Sequence, residues 1–157
     1  RTFAQKASYL WDKEGYEWFN LGKRTFECTK DMMALKIYAL LDRYGAELFG
    51  EIIDQLFDLA KTFATLVKAR NDFELATEPE CNIVCFRHIP EGITDLNAHN
   101  RALRRRLIDR GNTFIVQTEI GGKLYLRTTL VNVFTKTRDI EKLMQEIEDL
   151  ADTSYDR

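Results

Sequence analysis

An arginine set among β-forming residues is the first place in this chain where chemistry could reside. Lys123–Val131 (KLYLRTTLV) reads as a strand. Strand alternation puts Leu124, Leu126, Thr128 and Leu130 on one face, and Tyr125, Arg127, Thr129 and Val131 on the other. A guanidinium there is costly unless its planar fork meets a carboxylate. Two parallel hydrogen bonds hold such a partner, which suits recognition of an amino-acid substrate. The commoner use of such an arginine is an ion pair with an aspartate or glutamate of its own chain. Spacing alone leaves both open.

The other reactive side chains form weaker patterns. His88 and His99 stand alone, and each reads as a packing or surface histidine rather than a catalyst. Cys81-x-x-x-Cys85 falls at the edge of a strand, where zinc would need two more ligands and closer pairing. Arg104-Arg105-Arg106 lies on a helix, so its members point in different directions. A solvated face is expected there rather than a nucleic-acid patch. No Gly-rich phosphate loop, His-Glu-x-x-His or Gly-x-Ser-x-Gly occurs.

These residues sit on a legible series of elements. Residues 2–11 read as the end of a helix, and residues 12–29 as an aromatic, irregular stretch that calls for a neighbour to pack against. A helix follows over 30–43, with Thr29 as its N-cap and Gly45 as its stop. A longer helix over 46–69 carries Phe49, Ile52, Ile53, Leu56, Ala60, Phe63, Ala64 and Val67 as one apolar stripe. The period then changes. Residues 73–76 and 82–89 read as strands, 94–110 as a helix stopped by Gly111, and 113–120 and 123–131 as strands joined by Gly121-Gly122. A last helix spans 137–152, with Ile140, Leu143, Met144, Ile147 and Leu150 inward. Helices followed by β-α-β-β-α predict an α+β fold, an antiparallel sheet covered on one face by helices. The expected division is 1–45, the end of a large domain with an interface loop and helix, and 46–157, a small C-terminal domain with a long linking helix.

Composition narrows the class. Of 157 residues, 45% are hydrophobic, too many for a disordered chain. A net charge of -2 offers no argument for nucleic acid or an anionic membrane, and no apolar run is long enough to span a bilayer. Three cysteines, Cys28, Cys81 and Cys85, argue against a disulfide framework and for a reducing, cytoplasmic setting. The first residue is arginine rather than methionine, which points to a piece of something longer.

Phe26-Glu27-Cys28-Thr29-Lys30-Asp31, then Ala34-Leu35-Lys36-Ile37-Tyr38 and Gly45, resembles the stretch after the cofactor lysine in group II pyridoxal-phosphate-dependent amino-acid decarboxylases. That family includes the glutamate, aromatic amino-acid, cysteine-sulfinate and 2,4-diaminobutyrate enzymes. Phe73-Glu74-Leu75, Asn82–Arg87 and Leu126-Arg127 with Asn132 follow in the family's order. The resemblance implies the C-terminal part of a fold-type-I enzyme whose active site forms at a homodimer interface. It places Arg127 toward the substrate α-carboxylate, and Cys28 and Thr29 toward the phosphate of pyridoxal phosphate in the other subunit. The start of a helix suits that anion. Where many relatives carry glycine and arginine, this chain has Thr29 and Lys30. The family holds its cofactor on a lysine that follows a histidine, and no His-Lys pair occurs here. The resemblance therefore implies that the chain works with an upstream large-domain segment and is inactive alone. It leaves open which amino acid is decarboxylated.

Two other readings stand beside it. One is a non-catalytic α+β module that binds a small acidic ligand or a partner protein through Arg127 and the aromatic stretch. The other is a different fold-type-I enzyme, such as an aminotransferase.

Overall fold

A computed structural model describes residues 33–152. The helix end expected over 2–11, the aromatic stretch over 12–29, and Cys28 and Thr29 with their assigned roles lie outside the described residues. The chain divides into two compact units, 1–52 and 53–157.

In the first unit, α1 runs over Met33–Tyr44. Its stop is the one expected: Gly45 takes a left-handed φ of 77°, which a side chain would resist, and its N–H donates to Leu41 O at 2.9 Å. Leu35, Ile37, Tyr38, Leu40, Leu41 and Tyr44 are all exposed on α1. The next helix, α2, spans Glu47–Lys68.

The second unit takes up the rest of α2, where Leu56, Ala60, Phe63, Ala64 and Val67 are buried. Ile53 departs from the expected stripe and is 49% exposed. Four strands and two helices follow: β1 (Phe73–Leu75), β2 (Ile83–His88), α3 (Leu96–Arg110), β3 (Val116–Ile120), β4 (Lys123–Thr129) and α4 (Thr137–Asp152). The strands form one antiparallel sheet in the order β1-β2-β4-β3. This is the expected α+β architecture.

Register assigns the two faces. Phe86 pairs with Leu126 and Leu75, so these three side chains point the same way. Phe86 lies on that face against Phe63 of α2, with ring centroids 5.0 Å apart. Val84, Phe86, Leu124, Leu126 and Leu130 are buried there, with Leu103 and Leu107 of α3. Ile140, Met144 and Ile147 of α4 complete the core.

Gly121 and Gly122 have φ of 58° and 77°, the paired left-handed turn that matches strand twist in a two-residue hairpin. β3 begins at Val116 rather than Thr113, because the residues before it bond to helices instead of a strand. The Thr113 hydroxyl donates to Glu146 at 3.2 Å, and Ile115 O accepts from Arg104 Nε at 3.0 Å.

Two asparagines at the start of α3 stand in for a strand partner. Asn100 accepts from His88 N at 2.9 Å and donates to His88 O and Leu96 O, each at 2.8 Å. Asn97 accepts from Leu124 N at 2.8 Å and donates to Gly122 O at 2.9 Å. They satisfy backbone groups of β2 and of the β3–β4 hairpin where direct pairing stops. Asp95 caps α3 by accepting from Ala98 N at 2.9 Å. Asn100 is fully buried, so Asn100→Ala strands both backbone groups of His88. We expect it to lower stability by about 2–4 kcal/mol in chemical denaturation.

Candidate functional site

The sheet face opposite α3, α4 and Phe63 of α2 carries Arg127. Arg127 pairs with Cys85 on β2 and Val116 on β3, so a thiol and an isopropyl group flank its stem. Beyond Cys85, the backbone of Ala76 continues the row, its N–H donating to Cys85 O at 2.9 Å. Arg127 is half-buried in the middle of this neutral row. Burial pushes the Cys85 thiol up, the Arg127 charge pulls against that, and Cys81 adds to the rise. Cys85 is therefore a protonated thiol at neutral pH, a poor nucleophile. It lies in an inner strand rather than at the edge expected, since β1 and β4 pair on either side of β2.

The neighbouring row is charged. Glu74 pairs with Arg87 across β1 and β2. Glu74 Oε2 accepts from Arg87 Nε at 3.1 Å and from Arg87 Nη2. Glu74 Oε1 accepts from the Tyr125 hydroxyl at 2.8 Å and lies 3.5 Å from Lys123 Nζ. The Arg87 guanidinium sits over the Tyr125 ring, 5.2 Å from its centroid, a cation–π contact. Burial acts to raise Glu74, but hydrogen bonds from Arg87 and Tyr125 and the charges of Arg87 and Lys123 outweigh it and hold the carboxyl below its ordinary value. Burial, then the bond to Glu74, pushes the Tyr125 phenol up. This cluster is absent from the sequence reading. Only the register of β1 on β2 and of β2 on β4 puts Glu74, Arg87 and Tyr125 on the face of Arg127.

Two expectations are corrected. The histidines do not stand alone: His88 Nδ1 lies 3.0 Å from His99 Nε2, and His88 Nε2 lies 3.2 Å from Asp72 Oδ2. The chain turns back after β2 and brings the first turns of α3 against the strand it has left. Nor is the arginine triplet a solvated face. Arg104 is buried on Ile115 O, and Arg106 Nη1 donates to Leu150 O at 3.0 Å. The helix does send them in different directions, but both directions lead into protein. Among the described residues no cluster of His, Cys, Asp and Glu is arranged to hold a metal ion, and no helix is long and apolar enough to cross a membrane.

A family model, the pyridoxal-dependent decarboxylase conserved domain, matches residues 1–89. The chain belongs to this family. Relatives agree in kind. L-2,4-diaminobutyrate decarboxylase of Acinetobacter baumannii is 28% identical over 130 residues, covering 82% of this chain and 26% of the relative. Aromatic-L-amino-acid decarboxylase of Drosophila melanogaster is 34% identical over 119 residues, covering 76% and 22%. Among solved structures, a glutamate decarboxylase domain from Vibrio parahaemolyticus superposes with a TM-score of 0.71 at 32% identity, covering 75% of this chain and 25% of that one. That domain is part of a diaminobutyrate-pyruvate transaminase and L-2,4-diaminobutyrate decarboxylase. The chain thus spans about a quarter of the length of these decarboxylases.

Pyridoxal phosphate bonds through its aldehyde to a lysine amine. Every described lysine, namely Lys36, Lys61, Lys68, Lys123, Lys136 and Lys142, is exposed. Lys61 pairs with Asp58, Lys68 with Glu78 and Lys123 with Glu74. A cofactor lysine needs a recess that strips water from its amine and lowers its proton affinity. The described residues therefore do not fit as the covalent seat of the cofactor.

The histidine contact carries a pH dependence. Burial first, then the charges of His88 and Arg106, lower His99 from 6.5 to about 4. The unfolded chain then binds the extra proton across that window, so stability falls as pH drops from 6.5 toward 4. Glu74 adds its own loss only below its ordinary 4.5. We expect the unfolding midpoint to decline between pH 6.5 and 4.5, and His99→Gln to flatten that part of the curve.

Proposed function

We propose that this chain is the C-terminal portion of a pyridoxal-phosphate-dependent L-amino-acid decarboxylase. It takes part in releasing carbon dioxide and leaving an amine. In this reading Arg127 binds the substrate α-carboxylate, while Cys28 and Thr29 reach the cofactor phosphate held by the partner subunit of a cytoplasmic homodimer. An upstream large-domain segment supplies the lysine, so the chain is inactive by itself.

The observation that carries this reading is the position of Arg127. It lies in an inner strand on the sheet face opposite α3 and α4, and its cross-strand neighbours are Cys85 and Val116. A planar guanidinium is suited to a carboxylate, which it can hold through two parallel charge-assisted hydrogen bonds. Membership of the family supports the reaction type. The names of the relatives support an amino acid as substrate without choosing which.

The test supplies the upstream segment in trans and records the cofactor spectrum and carbon dioxide release over a panel of amino acids. Joint activity that drops with Arg127→Ala is the expected result. A loss in kcat/KM on the order of 10- to 100-fold corresponds to removing a charged hydrogen-bonded contact. Activity of the upstream segment that gains nothing from this chain, or is indifferent to Arg127, overturns the assignment.

A further inference from the structure

The end of β2 is joined to α3 by a line of three titratable side chains. Asp72 comes from the connection between α2 and β1, and its backbone O accepts from Ile89 N at 2.6 Å, which fixes it beside the end of β2. Its Oδ2 lies 3.2 Å from His88 Nε2, and His88 Nδ1 lies 3.0 Å from His99 Nε2 in the first turn of α3. His88 is 3% exposed, and its ring packs on Phe73 with centroids 5.0 Å apart. Both of its ring nitrogens therefore face protein groups.

The line restricts where protons can sit. A carboxylate only accepts, so His88 Nε2 donates to Asp72. Between His88 Nδ1 and His99 Nε2 there is room for a single hydrogen, and one of the two nitrogens must be bare. A charge on each ring puts hydrogen on both and turns the contact into a repulsion. The charged groups around the pair do not relieve it. Arg106, on the same helix, acts against a proton on His99. Asp72 reaches His88 rather than His99. Asp95 is engaged as the cap of α3, accepting from Ala98 N. Glu148 of α4 is paired with Arg70, which lies over the Phe73 ring.

We propose that Asp72, His88 and His99 form an acid-released latch, closed at neutral pH, that holds the first turn of α3 against the end of β2. Release carries His99 into water, where it binds its proton without a neighbouring cation. Asn97 and Asn100, on the same stretch of helix, leave with it. Asn100 gives up the backbone of His88, and Asn97 gives up Leu124 N and Gly122 O. The opening thus passes from a pair of imidazoles to the β3–β4 hairpin. It is smaller than unfolding, because the core around Phe63, Phe86 and Met144 stays closed.

Amide hydrogen exchange of the full-length enzyme tests this, resolved to single amides by fragmentation in the mass spectrometer and corrected for the intrinsic rate at each pH. The amides read are those of His88, His99 and Leu124, against Phe63 and Ala64 in the interior of α2. His99 titrates at about 4 when closed and at 6.5 when released, so the opening constant should rise about 25-fold between about pH 7.5 and about pH 5. Low urea should leave these three rates unchanged while it speeds Phe63 and Ala64, since a local opening exposes little surface. His99→Gln, whose amide can donate to His88 without titrating, should keep the latch closed at both pH values. His99→Ala should leave it open at both. Exchange of His88, His99 and Leu124 that tracks α2 in urea, lacks the rise in acid, keeps that rise in His99→Gln or stays slow in His99→Ala overturns the inference.

Discussion

Antiparallel pairing of β2 with β4, in the register that sets Cys85 opposite Arg127, is the constraint on which the rest of the sheet depends. Side chains alternate with period two, so a slip of one residue would exchange the faces of either strand. Arg127 and Tyr125 would then be driven under the helices, and Leu124 and Leu126 out into water. Several groups hold the register. Asn82 Nδ2 donates to Leu130 O at 2.7 Å and its carbonyl accepts from Leu130 N at 2.8 Å, so the pairing continues past the end of β4. The two-glycine turn fixes β3 against β4 from the other side.

The helix-covered face needs no special chemistry to remain closed. Phe63, Phe86, Leu103, Leu126, Met144 and Ile147 are fully buried, and each such side chain contributes about 1.5–3 kcal/mol on removal from water. The opposite face is held differently. Arg87 and Tyr125 are buried there as partners of Glu74. A buried ion pair is weak evidence for stability, since desolvation consumes much of its attraction. Its cost is easier to understand as the cost of orientation: it leaves a row of charges pointing in a set direction beside an arginine flanked by neutral side chains.

What the sequence made legible follows from which signals are local. The period-two run KLYLRTTLV separates Arg127 from the leucines without knowledge of any partner, and Leu124, Leu126 and Leu130 are indeed buried. The 3.6-residue stripe of α4 likewise marks Ile140, Met144 and Ile147 as core. Long-range contacts carry no such mark. Asp72, His88 and His99 belong to three different segments, and only the turn after β2 brings them together. Helical phase gives the directions of Arg104 and Arg106, but what lies in those directions depends on the return of β3 and the placing of α4. The Glu74 cluster was hidden for a related reason. β1 is three residues long, too short for alternation to say which face its glutamate takes.

The order of the elements along the chain has a consequence for synthesis. A strand in the middle of this sheet, β2, leaves the ribosome well before its main partner, β4, with only the short β1 already beside it. Its Val-Cys-Phe edge would be an open template for pairing with other nascent chains during that delay. The next element to emerge is α3, and it brings Asn100 to the backbone of His88. Helices form from local contacts faster than non-local strand pairs, so α3 is the element placed in the chain to satisfy the end of β2 before the hairpin is made.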